Sequence, residues 1–266
     1  MFYLTIHSMK KIVLSFDFDF SFIVKLIGAV IGLIILMSVV SLFFRYSAIQ
    51  HDLFGFAPKF DMDEENTIPT FISSMNLLIA AGLLGFITYI IKKSDGRHWK
   101  QWAILCFIFF FLSMDESASL HEGVSWKFDT MAGYFSGSTH YAWAILGSGL
   151  ILVFLIYFSR FILSLPTKSR NRFILSGAIF LAGAIGVEAV GGFIFSQLGT
   201  DTLVYQVSVI AEESLEMIGI YLFISSLFQH IAGSLAMQEA SQPENVILRM
   251  QPQQEEKYSE LLQERA

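Results

Sequence analysis

One cysteine, Cys106, stands in a chain of 266 residues. A lone thiol excludes an internal disulfide and a thiolate metal cage, and its apolar neighbours make it an inert buried residue. Charge is scarce too, at 15% of the chain against 54% hydrophobic. With a mean hydropathy of +0.59, that balance is too apolar for an ordinary soluble domain and fits several membrane spans. Positive charge is the scarcer sign, 17 Lys and Arg against 23 Asp and Glu. Without a basic stripe, nucleic acid is excluded as a partner. Barrel-type alternation is absent, which makes a helical bundle the better reading. No Gly-rich phosphate loop or dinucleotide fingerprint occurs. Ser117, Ser119, Ser214 and His121 lack the nucleophile elbow of a serine hydrolase. The His residues outside His121 lie at helix ends or in loops, so paired haem ligation is discounted.

What is present is a set of apolar segments of membrane length. They run Phe22–Phe44, Thr70–Ile91, Gln101 to about Glu122, Tyr141–Ser159, Phe173–Gln197 and Leu203–Gln229. The first two are apolar on every face, as in lipid-exposed helices. Lys10 and Lys11 precede the first, but it is too long for a signal peptide and is read as retained. Met1 and Met9 both stand as candidate starts.

Loop charges give the orientation. Lys10 and Lys11, then Lys92, Lys93, Arg97 and Lys100, then Arg160, Lys168, Arg170 and Arg172 fall on one side of a six-span chain. The fold class is therefore an all-α integral membrane bundle of six helices with both termini cytoplasmic, in a bacterial cytoplasmic membrane. Residues 1–21 form the N-terminal segment, 22–231 the membrane domain and 232–266 a polar, disordered tail. The outer loop Arg45–Pro69 ends in an acidic run, Asp61, Asp63, Glu64 and Glu65. It is read as a solvated cap, with a cation-attracting mouth as the alternative; a calcium loop is disfavoured because the EF-hand glycine is missing. Asn66 or Thr67 caps the second helix, and Pro69 suits its first turn. Tyr141 and Trp143 are interface anchors.

Acids inside these spans carry the functional reading. The uncharged run Gln101–Met114 is 14 residues long, roughly 21 Å against a hydrocarbon core of roughly 30 Å. To span, this helix must take Asp115 and its neighbours into the membrane. On a rise of about 1.5 Å per residue, Asp115 and Glu188 lie roughly 8–9 Å below the outer boundary. Glu212 and Glu213 lie roughly 15 Å down, with Glu216 a turn deeper. Three helices thus put carboxylates into the outer half, and intramembrane acids mark function by default. Asp115, Ser119 and Glu122 share one helix face, and Glu212 and Glu213 each share one with Glu216. Ala184, Gly191 and Gly192 flank Glu188 and let a neighbouring helix approach.

Clustered carboxylates at low dielectric either share protons or are neutralised by a cation. In the metal reading Asp115, His121, Glu188, Glu212 and Glu216 are the ligands, with Glu122 or Glu213 as acid/base. Glu116, Ser119, Asn76 and His140 support them from behind. A divalent metal, iron or manganese, or zinc with its usual taste for more His, would serve there. The di-iron Glu-x-x-His pattern is absent. Asp115 and Glu122 are about 10 Å apart along a straight helix, so both reach one ion only if the helix breaks near Ser117–Ser119.

The stretches LSMDESASLHE (Leu112–Glu122), GVEAVGG (Gly186–Gly192) and EESLEMIG (Glu212–Gly219) occur in that order, with ENTIPTFISS opening the second helix. Together they resemble a group of uncharacterised bacterial polytopic membrane proteins, over about Asp61–Gln229. The resemblance implies a six-helix fold and no activity. A looser likeness to seven-helix membrane hydrolases that hold zinc with His, Ser and Asp does not extend to the chemistry, because this chain has too few His and one helix fewer. Three functions remain open: a metal-dependent membrane enzyme on a lipid or small apolar substrate, a transporter or channel for protons or metal ions, and a non-catalytic membrane subunit or sensor.

Overall fold

The protein is described from a computed structural model, which defines residues 2–5, 15–18, 20–47, 55, 57–94, 96–120 and 140–241. His121, Glu122, the loop to residue 139 and the tail beyond residue 241 lie outside the described residues, as do the side chains of His140, Tyr141 and Trp143. Residues 1–227 form one compact unit and 228–266 a second, seen as the continuation of the last helix.

Two short strands, β1 (Phe2–Thr5) and β2 (Ser15–Phe18), pair antiparallel with Phe2 opposite Phe18. The rest is helical: α1 (Phe20–Tyr46), a 3-10 turn (Ala57–Phe60), α2 (Ile68–Lys93), α3 (Trp99–Ala118) and α4 (His140–Ser164). Next come α5 (Thr167–Leu181), a π-helical turn (Ala182–Val187), α6 (Glu188–Leu198) and α7 (Leu203–Ser241). Among the described residues four helices are long and apolar enough to cross a membrane: α1, α2, α3 and the continuous rod Thr167–Leu198. The chain is a multi-pass helical membrane protein.

Local chemistry sets the helix ends. Thr67 is the N-cap of α2, Pro69 sits in its first turn and Lys92 and Lys93 in its last, each where the helix favours it. Asn66 before them takes a left-handed φ of 59°, which asparagine tolerates better than most residues. The helix expected to run to about Glu122 stops at Ala118. Ser119 caps it in the left-handed region, with φ 48°. Glu122, which a joint site with Asp115 would need, lies beyond this break and outside the described residues.

Packing explains which faces turn inward. The second helix reads as apolar all round, yet one stripe is buried: Ser73, Asn76, Ala80, Leu84 and Ile87. Its small residues mark the packed side that hydrophobicity alone conceals. Ser74 and Ser113 clamp α2 to α3 by exchanging hydroxyl-to-carbonyl bonds of 2.8 and 2.9 Å, worth about 1 kcal/mol each inside a membrane. Toward the α2–α3 turn the helices are joined by rings. Trp102, 2% exposed, meets Phe161 edge-on at 5.0 Å and Phe173 at 6.0 Å. Phe173 meets Phe223 at 5.1 Å, and Phe223 stacks on Phe109 at 4.8 Å. Each such pair adds about 0.5–1.5 kcal/mol beyond its buried area. This run ties α3, α4, α5 and α7 together at the end away from the acids.

Helix α7 also packs closely on α1 and α5. Gly28 lies under the Tyr221 ring, and Ile31, Ile34, Met62 and Met217 form a core joined by Ile68, Ile72 and Ile210. At Gly219 an added Cβ would stand 2.7 Å from the backbone nitrogen of Phe180. Gly219→Ala should therefore force α5 and α7 apart and destabilise the protein by about 1–3 kcal/mol. Gly82, which has nothing within 4 Å of an added Cβ, should accept alanine neutrally or with a small gain. Thermal unfolding of both variants in detergent checks this pair.

Candidate functional site

Helix α7 supplies the centre of the site. Glu212, Glu213 and Glu216 are all half-buried. Glu212 and Glu216, at i and i+4, share a face of α7, and that face meets the rod Thr167–Leu198. Glycine makes the rod's approach possible. A Cβ at Gly183 would lie 2.8 Å from the carbonyl oxygen of Glu212 and 3.1 Å from Cγ of Glu216. A Cβ at Gly191 would lie 3.2 Å from Ser208 Oγ and 3.9 Å from Glu212 Oε2.

The π turn explains why these two glycines face the same way. Its i→i+5 bonds take in one residue more than an α-turn. Gly183 and Gly191 then stand two turns apart on one side, with Glu188 a single π turn beyond Gly183. A regular helix would have put Ala184 there instead. Glu188 opens α6 and acts electrostatically on both Glu212 and Glu216, though its side chain is exposed.

From α3 it is Glu116 that acts on Glu213 and Glu216. Asp115 beside it is half-buried. The loop before α2 contributes as well: Asp63 acts on Glu212, and Glu65 on Glu213. Among the described residues, every charge that acts on Glu212, Glu213 and Glu216 is another carboxylate. No group of three His, Cys, Asp or Glu among the described residues is arranged to hold a metal ion. His121 and Glu122 lie outside the described residues, Ser119 is the left-handed cap of α3, and His140 is placed only by its backbone at the start of α4. Asn76 is 4% exposed on the buried stripe of α2.

A polar belt closes the acidic end. Arg45 at the end of α1 pairs with Asp61 at 2.9 Å and approaches Asp201 at 3.8 Å. Tyr46 donates its hydroxyl to the carbonyl of Asp201 at 2.9 Å. Asp63 accepts from Tyr205 Oη at 3.2 Å and from Gln206 Nε2 at 2.8 Å, and that amide also donates to Thr200 O at 3.2 Å. The loop acids are thus stitched onto α7, within electrostatic reach of Glu212 and Glu213. In the sequence alone these acids have the pattern of a solvated cap. The available signal was Tyr205 and Gln206, a donor pair one to two turns above Glu212 on the same helix.

A family model described as a domain of unknown function, DUF8692, matches residues 27–231. Comparison with the curated proteins and with the solved structures finds no match to either. The matched span takes in every acid named above from α3 to α7, together with the loop that carries Asp61–Glu65.

Gln206 is 2% exposed and holds two acceptors at once. Gln206→Ala should destabilise the protein by about 1–3 kcal/mol by leaving buried acceptors unpaired. Asp201→Ala, whose carboxylate is 98% exposed, should be close to silent. Melting curves for the two variants in detergent test the contrast.

Proposed function

Since the chain belongs to the family of a domain of unknown function, DUF8692, which brings no activity with it, we propose a function from the geometry: a multi-pass membrane protein whose carboxylate cluster binds and releases protons from one face of the bilayer. One observation carries this reading. Among the described residues, the charges acting on Glu212, Glu213 and Glu216 are all negative. Like charges that close, at low dielectric, do not all ionise together, so they hold protons in common.

The same geometry favours a one-sided site over a through channel. Toward the acidic end, Asp63 and Glu65 lead from the loop to Glu212 and Glu213. Toward the other end the interior is filled by Trp102, Phe109, Phe161, Phe173 and Phe223, with Ile224 and Leu227 fully buried. A conducting path needs polar groups along its length. Proton binding at one face suits a pH-responsive membrane subunit or an acid/base site.

A second reading keeps the metal. In it Asp115, His121, Glu188, Glu212 and Glu216 hold a divalent ion, Glu122 or Glu213 moves protons, and a lipid or small apolar substrate enters from the bilayer. The exposure of Glu188 on the flank of α6 is what favours it, because a membrane-borne substrate can approach there.

The topology belongs to the proposal as well: six spans in a bacterial cytoplasmic membrane, both termini inside, with the acids in the outer half. The Lys and Arg residues near the α2–α3 and α4–α5 turns support that orientation. A periplasm-active reporter fused after Ser241 should be silent; activity there would reverse the assignment.

Elemental analysis of the purified protein, beside its proton uptake after a small downward pH step, separates the two readings. We expect no stoichiometric metal, and uptake that falls in Glu213→Gln and Glu216→Gln. One metal per chain, lost in Asp115→Asn, Glu188→Gln and Glu212→Gln, would replace the proton reading with the metal one.

A further inference from the structure

Six helical serines among the described residues return their hydroxyls to the backbone of their own helix. Ser159, Ser164, Ser176, Ser196, Ser208 and Ser226 each donate to a carbonyl three or four residues back, at 2.6–3.0 Å. Ser38 and Ser214 do not. Their Oγ atoms are shielded and have no hydrogen-bond partner among the described residues, and Ser38 is 2% exposed. A helix offers every serine a carbonyl on the preceding turn. Two hydroxyls that decline it are turned toward something else.

The two lie on facing sides of one seam. Ser38 shares the buried stripe of α1 with Ile31, Ile34 and Ser41. Ser214 shares a face of α7 with Ile210, Met217 and Tyr221. These faces meet in the core around Met217. Three contacts set an antiparallel register: Gly28 under Tyr221, Ile31 and Ile34 about Met217, and Tyr46 bonded to Asp201. On that register Ser214 lies level with Ile34 and Ile35. Ser38 is then about one turn away, roughly 5 Å along the axis. That axial offset is within the reach of a bridging water, which sits about 2.8 Å from each hydroxyl it joins.

A third orphan closes the α2 side. Asn76 Nδ2 has no partner among the described residues, in a side chain 4% exposed. Asn76 is one turn beyond Ile72, which joins the same core. We propose that the junction of α1, α2 and α7 is a binding site for ordered water, held by Ser38 and Ser214 with Asn76 at its α2 margin. Water both donates and accepts, so it can satisfy two hydroxyls and an amide together, as buried waters with about three bonds do. Glu213 precedes Ser214 on α7, so this water lies beside the carboxylate cluster. Its use as a proton source for Glu213 rests on the proposed proton function; its presence rests on the hydroxyls alone.

The sign of a stability change tests it. Ser38→Ala and Ser214→Ala are measured by thermal unfolding in detergent against Ser176→Ala, a serine that bonds its own backbone. Hydroxyl-radical footprinting of the same proteins reads oxidation at Met217, which is 1% exposed. With water in the seam, both variants melt a few degrees below the Ser176→Ala baseline. Met217 is then oxidised rapidly in the intact chain and more slowly in the double variant. A dry seam gives the reverse, because alanine removes an unsatisfied hydroxyl: melting temperatures equal to or above the baseline, or a Met217 resistant to radicals in the intact chain, overturn the proposal. Neither readout depends on proton uptake, so failure here is distinct from failure of the proton-binding reading.

Discussion

Repulsion between carboxylates on one helix is the constraint that the rest of the structure answers. Glu212, Glu213 and Glu216 occupy barely more than one turn of α7, and the described charges around them are Glu116, Glu188, Asp63 and Glu65. Such a set is stable only if protons or a cation reduce its charge and the surrounding helices hold it in place. The close contacts serve the second need. Gly183 and Gly191 let the rod Thr167–Leu198 lie directly on the acidic stretch, and Gly219 brings α7 against Phe180 one turn below. A serine clamp holds α3 to α2, so that Glu116 rises beside Glu213 and Glu216.

The two ends of the bundle are built from different materials. At the acidic end Arg45, Tyr46, Tyr205 and Gln206 tie the loop before α2 and the turn before α7 to the helices. At the other end the joints are aromatic rings, with Trp102 and Phe223 as hubs. Polar groups conduct water and protons and packed rings exclude them. The asymmetry fits the proposed site, which loads and unloads from a single face.

Much of the fold was legible because span length and apolarity are direct physical requirements of a bilayer. Phe22–Phe44 was read where α1 runs Phe20–Tyr46, and Thr70–Ile91 where α2 runs Ile68–Lys93. Less was legible where one residue changes the phase of a helix. AGAIGV at Ala182–Val187 reads as ordinary helix, yet its π turn brings Gly183, rather than Ala184, to the side of Gly191. Periodicity put Asp115, Ser119 and Glu122 on one face but could not say which face of α3 looks inward, and Glu116 is the acid that acts on Glu213 and Glu216. Asp63 and Glu65 were hidden by their place in a loop, since no periodicity connects a loop to the helix it folds onto.

Sharing of protons among these acids has a direct spectroscopic sign. A protonated carboxyl group absorbs as a carbonyl, shifts in deuterium oxide and disappears when the group becomes an amide. Infrared spectra of the membrane-reconstituted protein at neutral pH, beside those of Glu213→Gln and Glu216→Gln, should show such a band in the intact chain and its loss in the variants. A spectrum with only ionised carboxylate bands, unchanged by either substitution, would contradict proton sharing at the centre of this bundle.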